Sequence, residues 1–140
     1  MVGVTADTNI YISALNFGGP PDKLLDMARA GDIELHISDD ILGEVMRVLR
    51  DKFRWSDEAL ALAKDRIGDF AMTIQPGQAV QIVTADPTDN KIIECALAGK
   101  SDYIVSGDKH LLDLGQVGTV KIVKPSEFLG MLEGRGRCRH

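Results

Sequence analysis

Short β-branched runs alternate with helical patterns along the whole chain, and this alternation limits the possible folds more than any other feature. Five such runs predict strands, and apolar residues at helical spacing lie between them. Strands joined by helices form a parallel sheet through right-handed crossovers, and the helices cover both of its faces. The sequence therefore predicts an α/β fold with a central parallel sheet of about five strands. The predicted strands are residues 2–6, 33–37, 79–83, 103–105 and 120–123.

Capping residues and breaks mark the predicted helix boundaries. Ser38 and Ser56 precede helical patterns, and serine is a favourable N-cap residue. The Gly-Gly-Pro-Pro segment at residues 18–21 predicts a break before a helix over residues 22–30. The helix that follows Ser56 is predicted to end near residue 73, and the last helix is predicted to end at residue 132.

The composition is typical of one globular domain, because 44% of the 140 residues are hydrophobic and 26% are charged. We assign this domain to residues 1–133. Residues 134–140 form a basic tail without apolar anchors, and we expect this tail to be disordered. The net charge of −5 argues against binding nucleic acid through a general basic surface. It leaves nucleic acid possible as a substrate, because a metal ion bound among acids reverses the local charge.

No segment of the sequence predicts export or membrane insertion. The first four residues carry no basic side chain and lead directly into a strand. No apolar stretch approaches the length of a membrane helix. The two cysteines, Cys95 and Cys138, do not make a disulfide framework. A reducing cytoplasm is therefore the expected location, with no membrane contact.

Four acidic residues, Asp7, Glu44, Asp89 and Asp108, follow successive β-branched runs and lie at or near the start of the next helical pattern. In open α/β sheets, functional groups collect beyond the carboxyl ends of the strands. Four carboxylates gathered there repel one another unless a cation binds between them or some take up protons. Mg²⁺ and Mn²⁺ prefer carboxylate and water oxygens. The four acids therefore predict a divalent-metal site.

The polar neighbours of the acids fit such a site. Thr8, Asn9 and Ser106 carry neutral oxygens that could orient ligands or hold a water molecule. Zinc would instead require histidine or cysteine ligands, and the three histidines are scattered along the chain. His36 lies inside a predicted strand, where we expect a packed residue.

Helix capping is an alternative interpretation of each acid. Asp7, Asp89 and Asp108 could each stabilise a helix start, where the free N–H groups and the dipole favour negative charge. Glu44 lies in the second turn of its helix, beyond the reach of a cap, although a solvated helix flank is common for a single glutamate. Capping accounts for the acids individually but does not predict that they converge.

Other chemistries of α/β proteins lack their motifs in this sequence. Neither a Gly-x-Gly-x-x-Gly dinucleotide fingerprint nor a Gly-Lys-Ser/Thr phosphate loop is present. A phosphatase with an aspartyl nucleophile would carry a second aspartate where Asn9 stands. A phospho-receiver domain is the nearest alternative from a different class, since Lys124-Pro125 imitates its signature. That family has an acidic pair after the first strand, whereas only Asp7 stands there.

Four segments carry the acids and their polar neighbours in order along the chain. They are TADTNI at residues 5–10, ILGEV at 41–45, DPTDNKIIECA at 86–96 and DYIVSGDKHLL at 102–112. These segments resemble those of PIN-domain proteins, the fourth is the most specific, and the resemblance extends over nearly the whole chain. More narrowly, the chain resembles the PIN-family toxin components of bacterial and archaeal toxin–antitoxin pairs.

The resemblance implies a ribonuclease that hydrolyses RNA phosphodiester bonds with Mg²⁺ or Mn²⁺. The acidic quartet of the family corresponds here to Asp7, Glu44, Asp89 and Asp108. Asn9 and Ser106 stand in the places of its supporting polar residues. Asp86 is an additional acid, ranked below Asp89 because the segment around Asp89 matches the family better. PIN domains also act in RNA processing and quality control, so family membership alone leaves the biological role open.

Few basic residues are available to hold RNA near these acids. Lys91, Lys109 and His110 lie close to them in the sequence and are the candidates for contacts with flanking phosphates. Arg50 and Arg54 fit a solvated helix face at least as well. RNA binding is therefore expected to depend on the metal and on a few local cations.

The resemblance also implies a cognate antitoxin protein and a homodimer. The sequence offers little of its own for an interface. The early helices carry two apolar groups whose spacing is more typical of a core than of an interface. They lie around Leu24, Leu25 and Met27 and around Leu42, Met46 and Leu49.

Overall fold

A computed structural model describes residues 1–77 and 87–138. Within these ranges the chain forms six strands and seven helices, in an order that alternates as the sequence predicts. The strands are β1 (Gly3–Ala6), β2 (Glu34–Ile37), β3 (Ala71–Thr73), β4 (Tyr103–Val105), β5 (Gln116–Val117) and β6 (Val120–Val123). The helices are α1 (Thr8–Phe17), α2 (Pro20–Ala30), α3 (Asp39–Asp51), α4 (Asp57–Phe70), α5 (Pro87–Ala98), α6 (Lys109–Leu114) and α7 (Pro125–Cys138).

The six strands form one sheet in the order β3-β2-β1-β4-β6-β5. All neighbours pair in parallel except β5 and β6, which form an antiparallel hairpin. The predicted fold class, an α/β domain with a central, mostly parallel sheet flanked by helices, is thus confirmed, with six strands instead of five.

The topology creates a crevice beside the central strand β1. From β1 the chain proceeds to β2 and β3 on one side, whereas from β4 it proceeds to β6 on the other side. Right-handed crossovers in opposite directions put α1–α4 on one face of the sheet and α5 and α6 on the other. Beyond the carboxyl ends of β1 and β4 the connections therefore diverge, and ligands of open α/β sheets bind at such a point.

The hydrophobic core lies on both faces of the sheet. The strands contribute fully buried side chains such as Val4 and Ile104, and the helices cover them. Leu24, Leu25 and Leu49 have no exposed surface, which confirms that these residues belong to the core and removes them as interface candidates. In the described ranges, no helix has the length and apolar character needed to span a membrane.

Two predicted N-caps are confirmed. The Ser38 hydroxyl accepts the N–H of Ile41 at 3.2 Å, and the Ser56 hydroxyl accepts the N–H of Ala59 at 3.1 Å. These caps fix the starts of α3 and α4. Helix α3 in turn carries Glu44, so its cap sets where that side chain stands relative to the sheet.

Three helix boundaries differ from the prediction, and the first two strands each begin one residue later than predicted. Helix α4 ends at Phe70, and residues 71–73 form β3 because their backbone pairs with the edge of β2. Helix α2 begins at Pro20, since proline is well suited to the first helical turn, where its missing N–H costs nothing.

The last helix was predicted to end at residue 132, but it continues to Cys138. It therefore includes residues 134–138 of the segment expected to be disordered, and no proline in that segment interrupts the backbone hydrogen bonds. The strand predicted at residues 79–83 lies outside the described residues, as do residues 139 and 140.

His36 is a packed residue of β2, as predicted, and it belongs to a buried polar network. Its Nδ1 lies 2.6 Å from the hydroxyl of Ser101, and its Nε2 lies 2.7 Å from Oε1 of Glu34. The Ser101 hydroxyl is 2.7 Å from that of Thr5 in the neighbouring strand β1. The imidazole also lies against Gly99, where an added Cβ would come within 2.9 Å of Nδ1. The histidine is thus held by its neighbours, away from the acids at the carboxyl ends of the strands.

Candidate active site

Asp7 lies directly after β1, at the divergence of the connections, and caps helix α1. Its Oδ1 accepts the N–H of Ile10 at 3.0 Å, and its Oδ2 accepts a hydrogen bond from the Ser106 hydroxyl. The backbone N–H of Asp7 donates to the carbonyl of Val105 at 3.1 Å. These contacts fix the carboxylate between β1 and β4 with only 4% of the residue exposed.

Burial raises the pKa of Asp7 to about 6, because the charged form loses its hydration. The hydrogen bonds from Ser106 and Ile10 act in the opposite direction, and the nearby charge of Asp108 raises the pKa further. Because ionisation of this buried carboxylate is costly, a bound cation would stabilise its charged form. Asp7 is therefore both a helix cap, as the alternative interpretation held, and a perturbed acid.

Ser106 and Asp108 follow β4 and complete the same edge of the site. Ser106 is fully buried, and its Oγ accepts the N–H of Asp108 at 2.9 Å while its hydroxyl donates to Asp7. Asp108 caps helix α6, since its Oδ1 accepts the N–H of His110 at 2.7 Å. One serine thus links the acids that follow the two central strands.

Asp89 approaches from α5, on the opposite face of the sheet from α1. It lies in the first turn of α5 and is 4% exposed. Thr8, the first residue of α1, is also buried, and its Oγ1 has no hydrogen-bond partner among the described residues. A buried hydroxyl without a partner, beside buried carboxylates, marks a place where a ligand or a water molecule would supply the missing hydrogen bond.

Glu44 stands in the second turn of α3 and carries an arginine partner. Arg47 donates from Nε to Oε2 at 3.0 Å and from Nη2 to Oε1 at 2.5 Å. The side chain of Glu44 is 27% exposed and that of Arg47 is 51% exposed. This hydrogen bonding raises the pKa of the Arg47 guanidinium. Glu44 is thus drawn along its own helix, toward Arg47.

All four predicted acids line one cavity of about 370 Å³. Thr8 and Asn9 also line it, together with the cations Arg47 and Lys52 and the apolar residues Val48 and Ile92. Ser106 reaches the cavity through Asp7 and not as a lining residue. The four acids that the sequence grouped therefore border one cavity.

The donors of this cavity fit a hard, hydrated divalent cation. Carboxylates and hydroxyls are its preferred ligands, and Mg²⁺ keeps several waters beside one or two carboxylates. In the positions observed, no three histidine, cysteine or acidic side chains of the described residues come close enough together to hold an ion. Water-mediated contacts, or a movement of Glu44 away from Arg47, would be needed for the full set to act on one ion.

The RNA-contact candidates lie around this cavity but do not line it. Lys91 faces a neighbouring cavity of about 320 Å³, where its Nζ is 3.5 Å from Glu94 and 3.9 Å from Asp40. Lys109 and His110 are exposed at the start of α6. A role in RNA contact stays a prediction for all three, and Asp86 lies outside the described residues.

Two cationic residues that line the cavity, Arg47 and Lys52, are not among the site residues predicted from the sequence. Arg47 stands three residues after Glu44, which is a spacing at which helical side chains meet. Lys52 stands eight residues after Glu44, on the same side of the helix as Val48. Helical spacing from Glu44 could have identified both.

Comparison with known proteins agrees with the fold. A family model described as PIN domain matches residues 4–110 of this chain. No curated protein sequence matches it.

Two solved structures resemble the fold at low sequence identity. One is a chain of VapBC2 from Rickettsia felis, bound to a DNA fragment from its promoter, with a TM-score of 0.60 and 14% identity. The likeness covers 86% of this chain and 97% of that chain. The other is Mycobacterium tuberculosis VapC20, described as a Sarcin-Ricin loop cleaving toxin, with a TM-score of 0.56 and 13% identity. This likeness covers 84% of this chain and 98% of the VapC20 chain.

Proposed function

Because this chain belongs to the PIN domain family, we propose that it is a divalent-metal-dependent endoribonuclease that hydrolyses RNA phosphodiester bonds. The observation that carries the proposal is the convergence of Asp7, Glu44, Asp89 and Asp108 on one cavity at the divergence of the connections from β1 and β4. Mg²⁺ or Mn²⁺ is the proposed cofactor, because the donors are carboxylates and hydroxyls.

The residues of the cavity have distinct roles in this proposal. Asp7, Glu44 and Asp89 hold the cation, directly or through water, and Asp108 either assists a second ion or orients the attacking water. When bound, the cation supplies positive charge that makes a water molecule more acidic and neutralises charge on the phosphate. Ser106 fixes Asp7 through its hydroxyl and positions Asp108 through its Oγ. Asn9 and Thr8 offer further oxygens at the rim and floor.

A cleavage assay with purified protein tests this function. Asp108→Asn should lower the rate of RNA cleavage in Mn²⁺ by about 100-fold or more, since asparagine keeps the helix cap but removes the charge. Asp113→Asn is the matched control, because Asp113 is exposed on the same helix α6 and does not line the cavity. If wild-type protein with Mg²⁺ or Mn²⁺ cuts no RNA, or if both variants cut at the wild-type rate, the proposal fails.

The proposed biological role is the toxin of a type II toxin–antitoxin pair, acting in the cytoplasm. The likeness to VapC20, described as a Sarcin-Ricin loop cleaving toxin, and to VapBC2 supports this role. Induced expression in a bacterial host should arrest growth, and co-expression of the product of a small neighbouring reading frame should relieve the arrest. Growth arrest that persists with Asp108→Asn would contradict a toxin acting through this site.

A protein partner and a homodimer are part of the same proposal. Two aromatic side chains are exposed on the surface: Phe17 is 77% exposed and Phe53 is 38% exposed. Their rings pack edge to face, with the centroids 6.2 Å apart. Exposed aromatic groups at one place are typical of interfaces. Light scattering of the purified chain should give the mass of a dimer, and a monomer at high concentration would exclude it.

A further inference from the structure

Glu44 and Arg47 form a fork that engages both oxygens of the Glu44 carboxylate. The two side chains line the same cavity as the other three acids. Asp7 and Asp89 are buried and held by the fold, whereas Glu44 and Arg47 are partly exposed side chains on one helix. Of the four acids, Glu44 is therefore the one whose position depends on a single exposed arginine.

The fork competes with metal ligation. The arginine N–H groups occupy one lone pair on each Glu44 oxygen and hold the carboxylate toward Arg47, which leaves it poorly placed to ligate a cation beside the other acids. This agrees with the absence of three converging metal-binding side chains among the described residues. For Glu44 to join Asp7 and Asp89, the fork must open, and exposed ion pairs of this kind are weak enough to open readily.

Once the fork opens, Arg47 remains at the cavity without a strong partner. The other acid near it, Asp51, lies 3.8 Å from Nη1 and is already bonded to Arg50 at 3.0 Å. A guanidinium binds phosphate with the same two-pronged geometry that it uses for carboxylate. Lys52 lines the same cavity, so the released Arg47 and Lys52 would together present two positive charges to an RNA phosphate.

We propose that Arg47 exchanges partners during function: it holds Glu44 while the cavity lacks a cation, and it binds an RNA phosphate after Glu44 has turned to the cation. This inference rests on the proposed nuclease function, and it gives Arg47, a residue outside the acidic quartet, two roles: it positions Glu44 and it binds RNA. The exchange joins metal binding to RNA binding, because each requires that the fork be open.

Calorimetric titration with Mn²⁺ tests the first half of the exchange. Arg47→Ala should lower the Kd for Mn²⁺ about two- to fivefold, the range expected for loss of an exposed competing ion pair. Arg50→Ala is the matched control, since it removes the same charge from the same helix but lies outside the cavity. It should leave the Kd unchanged within about 1.5-fold.

A double variant separates the fork from a general effect of charge. In a Glu44→Gln background, Arg47→Ala should no longer lower the Kd for Mn²⁺, because the competing carboxylate is absent. The inference is overturned if Arg47→Ala leaves the wild-type Kd unchanged or raises it. It is also overturned if the same decrease persists in the Glu44→Gln background.

Fluorescence anisotropy of a labelled RNA decamer with Mn²⁺ tests the second half, using an Asp108→Asn background that should prevent cleavage. Arg47→Ala should weaken RNA binding about tenfold, as expected for one charge-assisted contact. Arg47→Lys should restore part of the affinity, because lysine keeps the charge without the fork. An RNA affinity equal to that of the Arg50→Ala control would overturn the exchange.

These outcomes distinguish the inference from the proposed function. If the wild-type protein binds no Mn²⁺ and cuts no RNA, the proposed function fails and the inference fails with it. If the wild-type protein binds Mn²⁺ and cuts RNA, but Arg47→Ala behaves as Arg50→Ala in both titrations, only the inference fails.

Discussion

The hydroxyl of Ser106 donates a hydrogen bond to Oδ2 of Asp7, joining the residues that follow the two central strands β1 and β4. The same oxygen of Ser106 accepts the backbone N–H of Asp108. Because the connections from β1 and β4 proceed in opposite directions, this bond spans the crevice at the switch point of the sheet. The Ser106 side chain thus holds the carboxylate of Asp7 and positions the backbone of Asp108.

Replacement of Asp7 by asparagine should stabilise the metal-free protein at neutral pH. The pKa of Asp7 is about 6 in the folded protein, above its ordinary value of 3.8, so the folded state binds the proton more tightly than the unfolded state. The contribution of Asp7 to stability therefore falls as the pH rises from about 4 to about 6. Above that window, Asp7→Asn should raise the free energy of unfolding by up to about 3 kcal/mol, and below pH 4 it should have little effect.

Urea unfolding in EDTA at pH 4 and pH 7.5 measures this difference. Asparagine remains a good N-cap, so the cap to Ile10 is preserved in the variant. Asp113→Asn, at an exposed position, should change stability little at either pH. If Asp7→Asn changes stability little at either pH, Asp7 acts only as a helix cap.

Loss of the Ser106 hydroxyl should raise the pKa of Asp7 still further. The hydrogen bond from Ser106 stabilises the charged carboxylate, and in Ser106→Ala the buried carboxylate keeps its desolvation without that bond. The variant should also lose about 1–3 kcal/mol of stability at pH 7.5. The carboxyl ¹³C shift of Asp7, followed against pH in EDTA, gives the pKa. Ser126→Ala, at an exposed serine of α7, is the control, and a lower Asp7 pKa in Ser106→Ala would contradict the account.

The buried network around His36 should tolerate no added volume at Gly99. A Cβ at this position would lie 2.9 Å from Nδ1 of His36 and 3.1 Å from the carbonyl of Cys95. Gly99→Ala should therefore destabilise the protein by about 1–3 kcal/mol. Gly68→Ala, inside α4 with nothing within 4 Å of the added carbon, should instead stabilise it by about 0.5–1 kcal/mol. Thermal unfolding of both variants checks the opposite signs, and equal effects would contradict the packing described for His36.

Mn²⁺ should raise the melting temperature near neutral pH, and EDTA should remove the gain. At a free concentration 100 times the Kd, binding stabilises the folded state by about 2.7 kcal/mol. The gain should diminish as the pH falls below the Asp7 pKa of about 6, because protons compete with the cation for the carboxylates. Asp7→Asn should abolish most of the gain. A metal response that is equal at pH 5 and pH 7.5 would place the ion elsewhere.

The sequence predicts the fold class because its signals are local. β-Branched runs and the N-caps Ser38 and Ser56 act within a few residues, and the structure follows them. Strand β3 was missed because residues 71–73 continue a helical pattern, and only pairing with β2 makes them a strand. An edge strand of three residues is decided by tertiary contact, which periodicity does not report.

The sequence predicts which acids line the candidate cavity, but it does not predict the electrostatic environment of each one. The places of Asp7 and Asp108 follow from where β1 and β4 end, whereas the burial that raises the pKa of Asp7 is a property of the packed fold. The fork between Glu44 and Arg47 depends on side-chain conformation, and a spacing of three residues only permits it. Proximity in the sequence points to cations next to the acids, whereas in the structure Arg47 and Lys52, from α3 and its C-cap, line the cavity.

Anomalous diffraction from a crystal of the protein soaked in Mn²⁺ locates the ion and so tests whether the four acids form the metal site. We expect an anomalous peak in the cavity lined by Asp7, Glu44, Asp89 and Asp108, at about 2–2.5 Å from the carboxylate oxygens or bridged to them by water. The peak should disappear in Asp7→Asn. A peak only in the neighbouring cavity beside Asp39 and Asp40, or no peak at a Mn²⁺ concentration that supports RNA cleavage, would contradict the assignment of the four acids as the metal site.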